Sequence, residues 1–86
     1  MLNTIEEAIN DIKLGKMVVL VDDEDRENEG DIIVAAEKAT PDIVNFMASN
    51  AKGLICVPII GERLDKLDIK PMVLENTDNH QTAFTV

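Results

Sequence analysis

The chain has 86 residues, a hydrophobic fraction of 45% with only 2% aromatic residues, and a formal net charge of -9. That length makes at most one small domain around an aliphatic core of Ile, Val, Leu, Ala and Met. The negative charge argues against nucleic acid, which needs a basic face, and against an anionic membrane surface. The single cysteine, Cys56, cannot form an internal disulfide, and a free buried thiol fits a reducing, cytoplasmic setting. Glu6, Glu7 and Asp11 interrupt the apolar residues at the start, so no signal-peptide pattern is visible there. No apolar run approaches the length of a membrane span.

Thr4 and Glu7 have the spacing of a capping box, and Ile5, Ala8, Ile9 and Ile12 follow at helical spacing until Gly15. Residues 17–21 read as a first strand and residues 32–36 as a second, both short and rich in β-branched residues. Thr40 and Pro41 start a second helix, with Ile43, Val44, Met47 and Ala48 as its apolar stripe and Gly53 as its end. Residues 54–57 are expected to form a third strand that Pro58 closes. Residues 61–67 are expected to form a short helix or turn that ends before Pro71. After a polar stretch, residues 82–86 read as a fourth strand still in progress at Val86, so the 86 residues are expected to stop inside a larger domain. The pattern predicts an α+β fold, a mixed sheet covered by helices.

Between the first two strands lies Asp22-Asp23-Glu24-Asp25-Arg26-Glu27-Asn28-Glu29-Gly30-Asp31, in which seven of ten residues are carboxylates. Crowding like charges between two strands raises the electrostatic energy of the loop. A divalent cation on hard oxygen ligands is the expected compensation. An EF-hand does not fit, because Ala36 stands where that motif needs a bidentate Glu. In an extended segment Asp25, Glu27, Glu29 and Asp31 would share one face, extended by Asp22 and Glu24. Neighbouring carboxylates can have their pKa values driven apart, so that one acts as acid and another as base. Arg26 suits bidentate contact with a phosphate or carboxylate, and Gly30 permits an unusual backbone angle or close ligand approach.

The plainer alternative is a solvated acidic loop, against which the apolar flanks, the embedded Arg26 and the embedded Gly30 weigh. Cys56 reads either as a small buried hydrophobe or as a thiol near a site at a strand end. His80 reads either as a loop histidine or as a substrate contact, and no second His at ligand spacing makes it a metal ligand.

The acidic run resembles the signature of the 3,4-dihydroxy-2-butanone 4-phosphate synthase family. Segments around Thr40–Met47, Gly53–Pro58, Leu67–Met72 and Thr82–Val86 follow in the family's order, so the resemblance covers essentially the whole chain. It also extends to the synthase half of bifunctional proteins that add a GTP cyclohydrolase II domain. The resemblance implies conversion of ribulose 5-phosphate to 3,4-dihydroxy-2-butanone 4-phosphate and formate, with Mg2+ or Mn2+, in a cytoplasmic homodimer. It places substrate binding on Arg26, Glu27 and Asp31, and the metal on Glu27. Glu29, Asp22 and Glu24 become acid/base or supporting candidates, and Cys56, His80 and Thr82 fall in segments associated with the pocket wall. The family's second metal ligand is a histidine in a downstream Gly-His-Thr-Glu segment, which these residues do not contain. The chain is therefore expected to be the N-terminal portion of one synthase domain, inactive by itself. The rival expectation is a non-catalytic metal-binding or assembly module.

Overall fold

A computed structural model describes residues 2–73 and 83–86. The chain divides into two compact units, residues 1–56 and residues 57–86. In the first unit, helix α1 spans Ile5–Lys13. The Thr4 hydroxyl accepts the Glu7 N–H at 3.2 Å, and the Glu7 carboxylate accepts the Thr4 N–H at 3.0 Å, so the expected capping box is present. These bonds, the backbone one foremost, hold the Glu7 carboxyl below its ordinary pKa. Gly15 ends the helix at φ +81, with its N–H on Ile12 O and the Lys16 N–H on Asp11 O. That pair of bonds is a Schellman closure, which a left-handed residue at this position makes possible.

Strands β1 (Val18–Val21) and β2 (Gly30–Ile33) form an antiparallel pair with Val18 opposite Ile33, Val19 opposite Ile32, Leu20 opposite Asp31 and Val21 opposite Gly30. Both strands fall close to their expected positions. Strand β2, however, starts at Gly30 and gives way to a short 3-10 turn at Ala36–Lys38. Gly30 lies between Val19 and Val21, whose Cγ1 atoms are 3.5 and 3.6 Å from where a Cβ would stand. Helix α2 (Pro41–Phe46) starts as expected, with the Thr40 hydroxyl accepting the Ile43 N–H. It continues as a π-helical segment, Met47–Ala51, which Lys52 closes at φ 58. The left-handed closing residue is thus Lys52 rather than Gly53.

The third expected strand does not form. Residues 54–57 have no strand partner among the described residues, and all four are exposed. Strand propensity alone cannot make a strand, because the hydrogen bonds lie across a ladder that a second segment must supply. In the second unit, helix α3 (Gly61–Lys66) ends with Asp68 at φ 55. The expected fourth strand is reduced, among its described residues, to one bridge between Pro71 and Thr85. The Met72 N–H there bonds Phe84 O and the Val86 N–H bonds Lys70 O, each at 2.9 Å.

Among the described residues none is buried, which departs from the expected closed aliphatic core. In the first unit the half-buried apolar residues include Ala8 and Ile12 of α1, Val18 of β1, Ile32 and Ile33 of β2, and Ile43 of α2. Val19 and Leu54 remain 65% and 75% exposed, so their apolar surface is still open to cover. The architecture is α+β, with helices beside a two-stranded antiparallel sheet.

Replacing Gly15 by Ala is expected to destabilise the protein by about 1 kcal/mol, because an L-residue is forced left-handed. The new Cβ would also stand 3.4 Å from the Lys38 side chain. Asp68→Gly, which relieves the same conformation, is expected to shift the denaturation midpoint the opposite way. Urea titration of the two variants against the parent protein checks both signs.

Candidate functional site

The β1–β2 connection, residues 22–29, is a folded turn and not the extended segment expected from the sequence. Asp23 organises its middle. One carboxylate oxygen of Asp23 accepts the Asp25 N–H at 3.1 Å, and its carbonyl accepts the N–H groups of Arg26 and Asn28. Asn28 takes φ 51, a conformation its short polar side chain tolerates. The turn breaks the period-two alternation, so the acidic side chains do not line up on one face by strand geometry.

Asp22 closes the connection. Its Oδ1 accepts the Glu29 N–H at 2.8 Å, and its Oδ2 accepts the Glu27 N–H at 3.0 Å and Arg26 Nη1 at 2.8 Å. The Asp22 N–H also reaches Glu29 O at 3.3 Å, which extends the ladder by one step. Asp22 is the one half-buried acid of residues 22–31, with a side chain 21% exposed. The Glu29 amide, followed by the Glu27 amide and the Arg26 guanidinium, holds its carboxyl below the ordinary value of 3.8. Arg26 turns its other nitrogen, Nη2, towards Glu27 Oε1 at 3.5 Å. Asp22, Arg26 and Glu27 are therefore brought together, with Glu27 half open to solvent.

A second grouping lines a cleft of about 570 Å³ within the first unit. Glu29, Gly30, Asp31 and Ile32 form one wall. Met47, Ala51 and residues 53–56 form the other. Cys56 is exposed there, against the expectation of a buried thiol, and its Sγ lies 3.8 Å from Leu54 O. The structure thus gathers Glu29, Asp31 and Cys56 on one cleft. Glu24 is exposed in the turn. His80 and Thr82 lie outside the described residues. Sequence reasoning missed Asp23 and Asn28 as turn formers, although Asx side chains that bond their own backbone are a known turn signal. It also missed Met47 and Ala51 as cleft residues, because nothing local marks them.

Carboxylate oxygens are the donors a hard cation such as Mg2+ takes. Among the described residues, however, no three His, Cys, Asp or Glu side chains converge closely enough to hold a metal ion. The donor chemistry fits, and the donor count in this chain is partial.

Residues 6–86 match the family of 3,4-dihydroxy-2-butanone 4-phosphate synthase. Over 86 residues the chain is 56% identical to the riboflavin biosynthesis protein RibBA of Bacillus subtilis (strain 168) and 62% identical to that of Synechocystis sp. (strain ATCC 27184 / PCC 6803 / Kazusa). All of the chain is covered, but only 22% and 16% of those relatives' lengths. Among solved structures, a 3,4-dihydroxy-2-butanone 4-phosphate synthase in complex with two magnesium ions superposes with a TM-score of 0.88 at 44% identity, over 99% of this chain and 39% of that one. A two-domain synthase from A. baumannii, RibBX, gives a TM-score of 0.78 at 45% identity, over 90% of this chain and 23% of that one. The fold is α+β and superposes on part of each of these synthases. The chain belongs to the 3,4-dihydroxy-2-butanone 4-phosphate synthase family.

The bonding at Asp22 predicts a pH response. Its folded pKa is lowered, so its contribution to loop order is fully present above the ordinary value near 3.8 and is lost as the pH falls through the depressed value. The amide proton resonances of Glu29 and Glu27 should titrate together, with an inflection below pH 3.8. An inflection at or above that value would contradict the bonding scheme.

Proposed function

We propose that this chain is the N-terminal portion of one synthase domain, residues 1–86. Its parent protein converts ribulose 5-phosphate to 3,4-dihydroxy-2-butanone 4-phosphate and formate in riboflavin biosynthesis. The observation that carries the reading is the Asp22-pinned turn presenting Arg26 and Glu27, in a chain that superposes on a magnesium-bound synthase with a TM-score of 0.88. The proposed working form is a homodimer in the cytoplasm that uses Mg2+, with Mn2+ as a substitute. No helix among the described residues is long and apolar enough to cross a membrane.

Five carbons become four plus formate, and the water lost in dehydration is returned when formate leaves, so the reaction balances without an oxidant. When bound, a divalent cation supplies positive charge beside the oxygens of a substrate that becomes enediolate-like. The remaining chemistry falls to side chains. Glu27 is the proposed metal ligand and also faces the substrate. Arg26, already turned by its contact with Asp22, presents guanidinium N–H groups to a phosphate or hydroxyl. Asp31 contacts substrate hydroxyls. Glu29 lies beside Asp31 on the cleft wall, where a carboxylate can take and return a proton. Glu24, Cys56, His80 and Thr82 are proposed lesser contributors at the site, and the remaining metal ligands come from outside this chain.

Formate release from ribulose 5-phosphate tests the reading. A chain extended past Val86 should be active with Mg2+, lose activity to EDTA and regain it on adding Mg2+. Glu27→Ala in that chain should fall about 100-fold or more, within the range expected when a group that stabilises developing charge is removed. The 86-residue chain should release none. Silence of the extended chain would move the assignment to a non-catalytic metal-binding module.

A further inference from the structure

We propose that Asp22 is a positioning residue that sets the geometry of the Arg26–Glu27 pair without itself transferring a proton; the inference rests on the function proposed above. Three donors already converge on its two oxygens: the Glu29 amide on Oδ1, and the Glu27 amide and Arg26 Nη1 on Oδ2. Both oxygens are therefore engaged before any substrate arrives. Each donor belongs to the stretch that presents the working groups. The Glu27 amide fixes where the Glu27 side chain leaves the backbone, and the Glu29 amide fixes the return into β2. The guanidinium contact sets the direction of Arg26, whose Nη2 in turn lies 3.5 Å from the Glu27 carboxylate. Asp22 itself is anchored by the ladder of β1, since its N–H reaches Glu29 O. A single carboxylate at the strand end therefore couples a regular sheet to an irregular turn. A side chain with this bonding acts on the metal through the orientation of Glu27, in the way outer hydrogen-bond partners orient metal-binding groups.

The test uses the full-length protein and compares Asp22→Asn and Asp22→Ala with the parent. Asn keeps the shape and one acceptor, so it should retain the Glu29 bond while facing the Oδ2 donors with an amide. Ala loses all three bonds. Hydrogen exchange of the Glu27 and Glu29 amides in metal-free protein should accelerate in both variants, more in Ala than in Asn. Calorimetric titration with Mg2+ in the absence of substrate should show affinity weakened about tenfold or more, the usual effect of losing such a partner. Formate release by Asp22→Asn should be recovered by excess Mg2+. Unchanged exchange at Glu27 and Glu29 overturns the proposal. So does a turnover loss that no Mg2+ concentration restores while Mg2+ affinity is unchanged, because Asp22 would then act on the substrate. If Asp22→Ala fails to fold, Asp22→Asn decides alone. A parent protein that releases no formate removes the functional reading, and the exchange measurement still settles the positioning role.

Discussion

The carboxylate of Asp22, with three donors on its two oxygens, is the interaction from which the organisation of the acidic loop follows. Without it the amides of Glu27 and Glu29 would need water as their partner, and the turn would be held only by the bonds that Asp23 makes within it. With it, a polar stretch joins two strands at a defined register, with Val21 opposite Gly30. The same bonds bear on the charge problem posed by seven carboxylates. In water, two unit charges about 4 Å apart interact by only about 1 kcal/mol, and salt reduces this further. An exposed acidic loop can therefore exist without a cation, provided its closest carboxylate is satisfied by N–H groups.

Local bonding explains which parts of the fold were legible. The capping box at Thr4 and Glu7, the closure at Gly15 and the start of α2 at Thr40 each depend on residues within a few positions of one another, and each is present where the pattern put it. The β1–β2 hairpin was also readable, because two apolar runs flank one connection and pair with each other. The expected strand at residues 54–57 was a different matter. Leu54, Ile55 and Val57 carry strand propensity, yet they are exposed and unpaired among the described residues. Propensity is a property of a segment, whereas a strand is a property of two segments. The aliphatic composition likewise says that a core can form and leaves open which surfaces close it.

The site divides along the same line. Arg26 and Glu27 were found from a motif, and the structure puts them next to each other in space with Asp22. The role of Asp22 was hidden because it depends on backbone amides, which carry no sequence signature. Alternation along residues 25–31 misled because it assumed an extended chain, whereas Asp23 and Asn28 provide a turn whose signals were available and unused. The meeting of Glu29 and Asp31 with Cys56 could not have been read from spacing, since it joins β2 to a segment more than twenty positions away.

That cleft depends on an irregularity of its own. After Phe46 the second helix widens into the π-helical segment Met47–Ala51, and Lys52 adopts a left-handed conformation that costs a non-glycine residue about 1 kcal/mol. π-Segments are uncommon and recur near functional sites. Here the widened turn carries Met47 and Ala51 on the cleft wall opposite Glu29 and Asp31. The residue after Lys52 is Gly53, which has open space where a Cβ would be and could have taken the left-handed angle at lower cost. Placing the reversal at Lys52 ends the helix one residue earlier and leaves Gly53 to begin the segment that leads to Cys56. The acidic turn is held by short-range bonds that 86 residues supply by themselves. The cleft beside it is shaped by a strained helix end, and its apolar lining at Leu54 is still three-quarters exposed. The two features meet at Glu29, whose amide is held by Asp22 and whose residue also lines the cleft.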